Sequence, residues 1–250
     1  MKLLIDFGNT RLKWARLNQR QLQAGGVFAH ADSALLTELR REWAELVRVD
    51  AVLVASVVAP AREHELDEFV RERFGLRAEF VRTPAAALGV RNAYFIPARL
   101  GIDRFLALAA AHAEHPRAQV LASIGTALTL DALGADGVHH GGTIVASPRL
   151  MREALLAGTA RVGTFDGQYD EMPRDTADAV VTGSVDAAVG AIDRFCVAAA
   201  RRLGTVPALL LTGGGADELA SLVPHAERAH DLVLRGLALW AQAQAQAQDG

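Results

Sequence analysis

Two small turns at the ends of apolar strands carry the residues best suited to chemistry. In LLIDFGNTRLKWARL, Asp6 ends the first strand and precedes Gly8, Asn9 and Thr10. Converging backbone N–H groups in such a turn bind anions, and a carboxylate beside them can hold Mg²⁺ through water, so that the ion bridges to phosphates. Lys13 on the second strand offers a point charge to a phosphate. These residues predict a metal and phosphate site, although they also suit an ordinary hairpin turn.

The second turn follows the strand QVLASI and contains Gly125 and Thr126. A third element, TGGG, follows the apolar run ALLL and places Gly213 and Gly214 at the end of another strand. Glycines lack a Cβ atom and let a base or ribose approach the backbone closely. Because neither a P-loop motif nor a G-x-G-x-x-G motif follows a strand, we interpret the matched turns as a nucleotide site of another kind.

A carboxylate and a guanidinium lie together in the stretch Gly101, Ile102, Asp103 and Arg104, where a helical pattern begins. In phosphoryl transfer, an aspartate can orient the acceptor hydroxyl and remove its proton. Arg104 can pair with an anionic group of the acceptor or with a phosphate. The alternative is a simple helix cap or a salt bridge at the helix start.

The elements that position these residues repeat in two halves of one α/β plan. Strands at 2–6 and 12–17 flank the first turn, and the stretch 119–133 contains the second strand–turn–strand unit. Two similar halves that face each other would leave a cleft between the turns. We expect the boundary near the AEHPRA segment, and therefore domains at 1–115 and 116–250.

Helical periodicity is expected at five further places and in a last helix near the C-terminus. The segments are 35–46 with Asp32 or Ser33 as its cap, 61–74, 101–115, 149–157 and 176–202. His139 and His140 are interpreted as part of a solvated strand, because adjacent strand residues point to opposite faces and cannot easily share a metal.

Composition limits the possible partners. The 250 residues carry a net charge of −3, which gives no electrostatic reason for a nucleic acid or an anionic membrane as partner. Cys196 is the only cysteine, so no intramolecular disulfide forms and a reducing compartment is expected. No signal peptide is expected before the first strand, and the predicted location is the cytoplasm.

Taken together, the motifs resemble those of type III pantothenate kinases, within the superfamily of acetate kinases, sugar kinases and actin-like ATPases. The shared motifs are D-x-G-N-T at 6–10, G-x-D-R at 101–104, G-T-A at 125–127 and T-G-G at 212–214. The resemblance implies two ribonuclease H-like domains, a homodimer, and transfer of the ATP γ-phosphoryl to the 4′-hydroxyl of pantothenate. This reaction is the first step of coenzyme A biosynthesis.

The resemblance also implies residue roles. Asp103 becomes the general base, and Asp6 supports Mg²⁺ through water. The nucleotide site comprises Asp6, Phe7, Gly8, Asn9, Thr10, Lys13, Gly125, Thr126, Gly213 and Gly214. The pantothenate pocket comprises Tyr94, Gly101, Ile102, Asp103, Arg104 and Thr176, and Thr176 can act across the dimer.

One departure concerns a monovalent cation, K⁺ or NH₄⁺. The family has an aspartate two residues before the G-T-A glycine, whereas this chain has Ser123. A neutral hydroxyl holds a cation less strongly than a carboxylate, so strict K⁺ dependence is not expected. Two alternative functions remain: a kinase of another small molecule in the superfamily, and a nucleotide-binding regulator without turnover. An intact Asp103 argues against the regulator.

Overall fold

The computed structural model describes residues 1–30, 35–158 and 166–249. The strands are β1 (Lys2–Phe7), β2 (Arg11–Asn18), β3 (Gln21–Ala29), β4 (Ala51–Ser56), β5 (Ala78–Val81), β6 (Ala86–Ala87), β7 (Val90–Arg91), β8 (Gln119–Ile124), β9 (Ala127–Leu133), β10 (His139–Ala146), β11 (Ala208–Thr212) and β12 (Glu227–Arg228). The helices are α1 (Leu35–Glu42), α2 (Pro60–Phe74), α3 (Ile102–Glu114), α4 (Pro148–Gly158), α5 (Thr176–Leu203), α6 (Ala216–Ala220) and α7 (Leu232–Asp249). The predicted caps Asp32 and Ser33 lie outside the described residues.

Two five-stranded sheets share one topology, as the repeated turns predict. Their strand orders are β3-β2-β1-β4-β5 and β10-β9-β8-β11-β12. In each sheet the first three strands along the chain are antiparallel, and the two that follow are parallel. The mixed α/β fold with two related sheets is therefore confirmed.

The chain divides into two compact units. The first contains Met1–His115 together with Asp231–Gly250, and the second contains Pro116–His230. In this division the residues from Asp231 onward group with the first unit, and not with residues 116–230. None of the described helices combines the length and apolar character needed to cross a bilayer.

The last helix belongs to the first unit because α7 covers α3. A Cβ atom at Gly236 would lie 2.3 Å from the Leu106 carbonyl oxygen, so the two helix backbones meet closely at this glycine. An Arg235–Glu114 ion pair lies beside this contact. Lys2 Nζ donates to the Ala241 carbonyl at 3.0 Å and ties α7 to β1. The sequence predicted the helix but not the unit on which it packs.

In the first unit, apolar side chains of β1, β2 and β4 pack under α1 and α2. Trp43 is fully buried and contacts Trp14 edge-on, with ring centroids 6.3 Å apart. Leu3, Ile5 and Phe7 alternate on the buried face of β1. Asp6 falls between two of these residues and therefore points to the opposite face. The strand that builds the core thus delivers the carboxylate to the site.

In the second unit, a corresponding core lies between the β8–β9–β11 face and helices α5 and α6, with Ile124, Leu128 and Ile192 among its buried members. The interpretation of His139 as solvated is wrong. Its Nε2 atom lies 2.9 Å from Asp131 Oδ1, and both side chains are buried. A bulge between His139 and Gly142 changes the register of β10, and such a shift changes the face to which a side chain points.

Candidate active site

The first turn joins β1 and β2 in a tight hairpin. Asp6 lies directly opposite Lys13 in the antiparallel register, so the two side chains project from the same face of the sheet. The Gly8 N–H donates to the Arg11 carbonyl at 3.1 Å and closes the turn. Asn9 is exposed at its tip. The predicted turn and its flanking charges are therefore assembled at one end of β1.

The Asp6 carboxyl group lies in an environment with uncompensated negative charge. Burial, and then the Asp103 carboxylate, raise the pKa of Asp6 to about 7, with a smaller contribution from Asp231 in the same direction. Lys13 lowers this pKa but does not restore its ordinary value. Lys13 Nζ also lies 3.7 Å from Asp231 Oδ1. A carboxylate near other negative charges is a suitable oxygen ligand for a hard cation such as Mg²⁺, provided that water or phosphate supplies the remaining ligands.

Asp103 lies in the first turn of α3, where Gly101 is the N-cap residue. Its Oδ1 atom accepts a hydrogen bond from the Arg104 backbone N–H at 2.8 Å. A Cβ atom at Gly101 would lie 2.4 Å from this oxygen. Glycine at position 101 therefore leaves room for the Asp103 carboxylate in this position, and its backbone conformation is one that other residues adopt.

Arg104 and Tyr94, both predicted to line the substrate pocket, are in contact. Arg104 Nη1 donates to the Tyr94 hydroxyl at 3.1 Å, and the guanidinium carbon lies 5.8 Å from the ring centroid. Asn92 orders the loop before them, since its Oδ1 accepts from the Tyr94 N–H at 3.0 Å and its Nδ2 donates to the Pro97 carbonyl at 3.1 Å. The loop thus places the Tyr94 phenol beside the buried guanidinium that Arg104 contributes from α3.

Two predicted site residues contribute no side chain to the site. The side chains of Phe7 and Ile102 are buried in the apolar interior, at 0% and 5% exposure. Only their backbone atoms are placed near the turn and the helix start. The polar groups belong to their neighbours Asp6 and Asp103. Adjacent residues on β1 point to opposite faces, and adjacent residues in the first turn of α3 point in different directions.

In the second unit, the turn after β8 packs directly on the glycines after β11. The Gly125 N–H donates to the Ala127 carbonyl at 2.9 Å, and the Gly215 N–H donates to the Ile124 carbonyl at 3.0 Å. Gly213 has a φ of +93°, and a Cβ atom there would lie 2.4 Å from the Ile124 carbonyl oxygen. The predicted G-T-A and T-G-G motifs are therefore brought together. At Gly213 this contact by itself requires glycine.

Ser123 occupies a position surrounded by hydroxyl groups. Thr129 lies opposite it in the antiparallel register, and Thr212 lies beside it in the parallel register. Paired residues in neighbouring strands project from the same face, so three hydroxyl side chains share this part of the sheet. The family resemblance predicts a carboxylate at position 123. Neither of the two paired residues supplies a carboxylate in its place.

Thr176 is exposed and is the first residue of α5. Asp175 caps this helix, because its side chain accepts from the Ala177 N–H at 2.8 Å. Thr176 belongs to the second unit, whereas Tyr94, Gly101 and Arg104 belong to the first.

Four residues that act on the site through charge or hydrogen bonds were not predicted from the sequence. Asp231 influences Asp6 and Lys13, Asn92 orders the Tyr94 loop, His30 contacts the first turn, and Ser147 contacts the second. Only Asn92 carries a local signal, since asparagine often bonds the backbone two residues later. The other three contact residues distant in sequence, which no single-sequence pattern indicates.

Comparison with known proteins gives the family. The type III pantothenate kinase profile matches residues 2–198. A type III pantothenate kinase of Xanthomonas euvesicatoria pv. vesicatoria is 44% identical over 242 residues, which cover 97% of this chain and 98% of the relative.

Solved structures agree on the fold. A Campylobacter jejuni protein described as a Baf family transcriptional activator has a TM-score of 0.63 at 19% identity, with 98% of this chain and 99% of that chain covered. A Listeria monocytogenes protein described as an N-acetylmannosamine kinase has a TM-score of 0.55 at 14% identity, with 98% and 100% covered. These likenesses concern the fold alone. The sequence matches reach further, and they show that the chain belongs to the type III pantothenate kinase family.

Proposed function

We propose that this chain transfers the γ-phosphoryl group of ATP to the 4′-hydroxyl of pantothenate, the first step of coenzyme A biosynthesis. The observation that carries this proposal is the arrangement at the start of α3. There the Asp103 carboxylate is held over Gly101, next to the contact between Arg104 and Tyr94. A base and a buried cation side by side suit an acceptor that has both a hydroxyl group and a carboxylate.

Asp103 is the general base of the proposed reaction. Its carboxylate accepts the proton of the 4′-hydroxyl while that oxygen forms a bond to the γ-phosphorus. The bond between the γ-phosphorus and the bridging β–γ oxygen breaks, and ADP leaves. The Arg104 N–H bond leaves Asp103 with further acceptor capacity, because an ionised carboxylate has about four lone-pair sites. Arg104 pairs with the pantothenate carboxylate, and the Tyr94 hydroxyl fixes the direction of the guanidinium.

The first turn and Lys13 bind ATP phosphates in this proposal. Within residues 1–30, 35–158 and 166–249, no group of three or more His, Cys, Asp or Glu side chains is arranged to hold a metal ion. A divalent ion beside Asp6 would therefore take most of its ligands from water and phosphate, as Mg²⁺ commonly does. When bound, Mg²⁺ neutralises charge on the transferring phosphoryl group. The oxygen-only chemistry of Asp6 and Asp103 fits this ion.

We further propose that K⁺ or NH₄⁺ is not strictly required. Ser123, Thr129 and Thr212 offer neutral oxygens to a cation. Uncharged ligands hold a monovalent ion less strongly than a carboxylate does, because the direct charge–charge attraction is missing.

A homodimer is also proposed, as the family resemblance implies. Large apolar side chains are exposed on β10 and α4, including Ile144 at 61% and Leu155 at 44% exposure. Light scattering on the purified protein tests this. A mass near twice 26.6 kDa supports the dimer, and a mass near 26.6 kDa contradicts it.

The experiment that tests the function is a coupled ADP-release assay with ATP and Mg²⁺. Pantothenate-dependent ADP release, with 4′-phosphopantothenate identified by mass spectrometry, is the expected result. In matched control reactions, N-acetylmannosamine or acetate replaces pantothenate as the acceptor. These reactions test whether the protein is instead a kinase of another small molecule. Release with one of these acceptors, and none with pantothenate, contradicts the proposed substrate. No release with any acceptor favours a nucleotide-binding regulator.

A further inference from the structure

A buried histidine outside the proposed chemistry is bonded to the first phosphate turn. His30 immediately follows β3 and is 7% exposed. Its Nε2 atom lies 2.7 Å from the Gly8 carbonyl oxygen, and its Nδ1 atom lies 3.1 Å from Arg62 Nη2. The imidazole also contacts the Phe7 ring edge-on, with centroids 4.9 Å apart. His30 therefore touches the turn through a directed hydrogen bond and through packing.

The two hydrogen-bond partners determine which nitrogen of the His30 imidazole carries the hydrogen. A carbonyl oxygen only accepts and a guanidinium only donates, so Nε2 carries the hydrogen and Nδ1 accepts from Arg62. Arg62 is itself held by Glu65, at 2.9 Å one turn further along α2. A continuous chain thus runs from Glu65 through Arg62 and His30 to the Gly8 carbonyl.

This contact sets the direction in which the turn presents its N–H groups. The described backbone contains no cis peptide bonds, and in a planar trans peptide the carbonyl and the following N–H point in opposite directions. A Gly8 carbonyl aimed at His30 therefore turns the Asn9 N–H away from His30. The backbone N–H of His30 also donates to the Thr10 carbonyl at 3.3 Å. Two carbonyl groups of the turn thus point toward one residue.

The second unit has a related contact at the equivalent position, after its outer antiparallel strand. Ser147 immediately follows β10, as His30 follows β3, and these are the corresponding outer strands of the two sheets. Ser147 is 1% exposed, and its Oγ donates to the Thr126 carbonyl at 2.9 Å. The carbonyl that accepts differs, since Gly8 opens the first turn and Thr126 closes the second. What the two units share is a buried side chain that follows the outer strand and donates to a carbonyl of the neighbouring turn.

We propose that His30 is a positioning residue for nucleotide binding. By accepting from Arg62 and donating to the Gly8 carbonyl, it keeps the first turn with its N–H groups directed at the ATP phosphates. This inference rests on the proposed role of the turn as a phosphate site. It adds a residue that contacts no substrate itself and that follows β3, whereas the motif lies between β1 and β2.

The test compares His30→Asn with His30→Gln. A glutamine amide nitrogen can replace Nε2 in reaching the Gly8 carbonyl, whereas the asparagine side chain is one methylene too short. The matched control is His64→Asn, an exposed histidine on α2. ATP affinity is measured by calorimetry without pantothenate, and KM is measured separately for ATP and for pantothenate. Thermal melting establishes that each variant is folded.

His30→Asn is expected to weaken ATP binding about 10-fold, because an unsatisfied buried carbonyl is costly. We expect His30→Gln to stay within about threefold of wild type and His64→Asn to match wild type, since neither loses the bond to Gly8. The KM for pantothenate should change less than about twofold in all three variants.

Equal ATP affinities for folded His30→Asn and His30→Gln would overturn the inference, and so would equal rises of both KM values. Failure of the wild type to bind ATP would instead overturn the proposed function, and the inference with it. Wild-type binding of ATP without turnover of pantothenate leaves the calorimetric comparison decisive for His30.

Discussion

Replacing Gly101 with alanine is expected to displace the Asp103 carboxylate without unfolding the protein. The new Cβ atom would lie 2.4 Å from Asp103 Oδ1, whereas ordinary contacts begin at 3.4 Å. The carboxylate must therefore retreat by about 1 Å, the difference between these two distances. A misplacement of this size in a catalytic group costs up to about 10²-fold. The backbone of Gly101, with φ −53° and ψ 135°, accepts alanine without strain.

The assay is steady-state ADP release with saturating ATP, together with thermal melting. We expect kcat to fall about 10- to 100-fold, and stability to fall by at most about 1 kcal/mol from the poorer N-cap. The matched control is Gly190→Ala, because that glycine is exposed in the middle of α5 with nothing within 4 Å of an added Cβ. A folded Gly101→Ala variant with wild-type kcat would refute the argument that Gly101 makes room for the base.

Three further predictions follow from other parts of the molecule. Ser123→Asp is expected to bind K⁺ about 10-fold more tightly than wild type, since a carboxylate adds a direct charge attraction; a K⁺ titration checks this, with neutral Ser123→Asn as control. Arg82 lowers the pKa of Glu63 through a hydrogen bond, so Glu63→Gln should lose about 0.5–1 kcal/mol at pH 7. Because the folded-state pKa is the lowered one, this difference should begin to shrink as pH falls below the ordinary value of 4.5 and should vanish below the lowered pKa of the folded state; an unchanged difference in urea unfolding at pH 3 would contradict the ion pair. Gly236→Ala should lose about 1–3 kcal/mol by forcing α7 from α3, which a lowered melting temperature would show.

The strands that carry the motifs could be predicted because their apolar runs are long and end at recognisable turns. β1, β2, β8, β9 and β11 all follow this pattern. β3 could not, since QLQAGGVFA lacks alternation and contains two adjacent glycines. The structure explains Gly25, where a Cβ atom would lie 2.2 Å from the Trp14 ring. The indole occupies that space, and this packing has no local signal.

In the candidate site too, residues in local motifs could be predicted, whereas residues that act through distant contacts could not. Asp6, Asp103 and Arg104 lie in short motifs whose residue types indicate phosphoryl transfer. Asp231 could not be predicted in this way. Its effect on the pKa of Asp6 depends on α7 returning to the first unit at the far end of the chain. The buried pair of His139 and Asp131 likewise depends on a bulge, which reverses the face that simple alternation predicts.

The most direct test of the central claim is single-turnover transfer from ATP to pantothenate by Asp103→Asn. The asparagine oxygen can still accept from the Arg104 N–H, so the start of α3 is retained while the base is lost. Asp193→Asn, an exposed aspartate on α5, is the matched control. We expect a transfer rate about 10²- to 10⁴-fold lower, with ATP affinity largely retained. Transfer at the wild-type rate would show that Asp103 is not the general base.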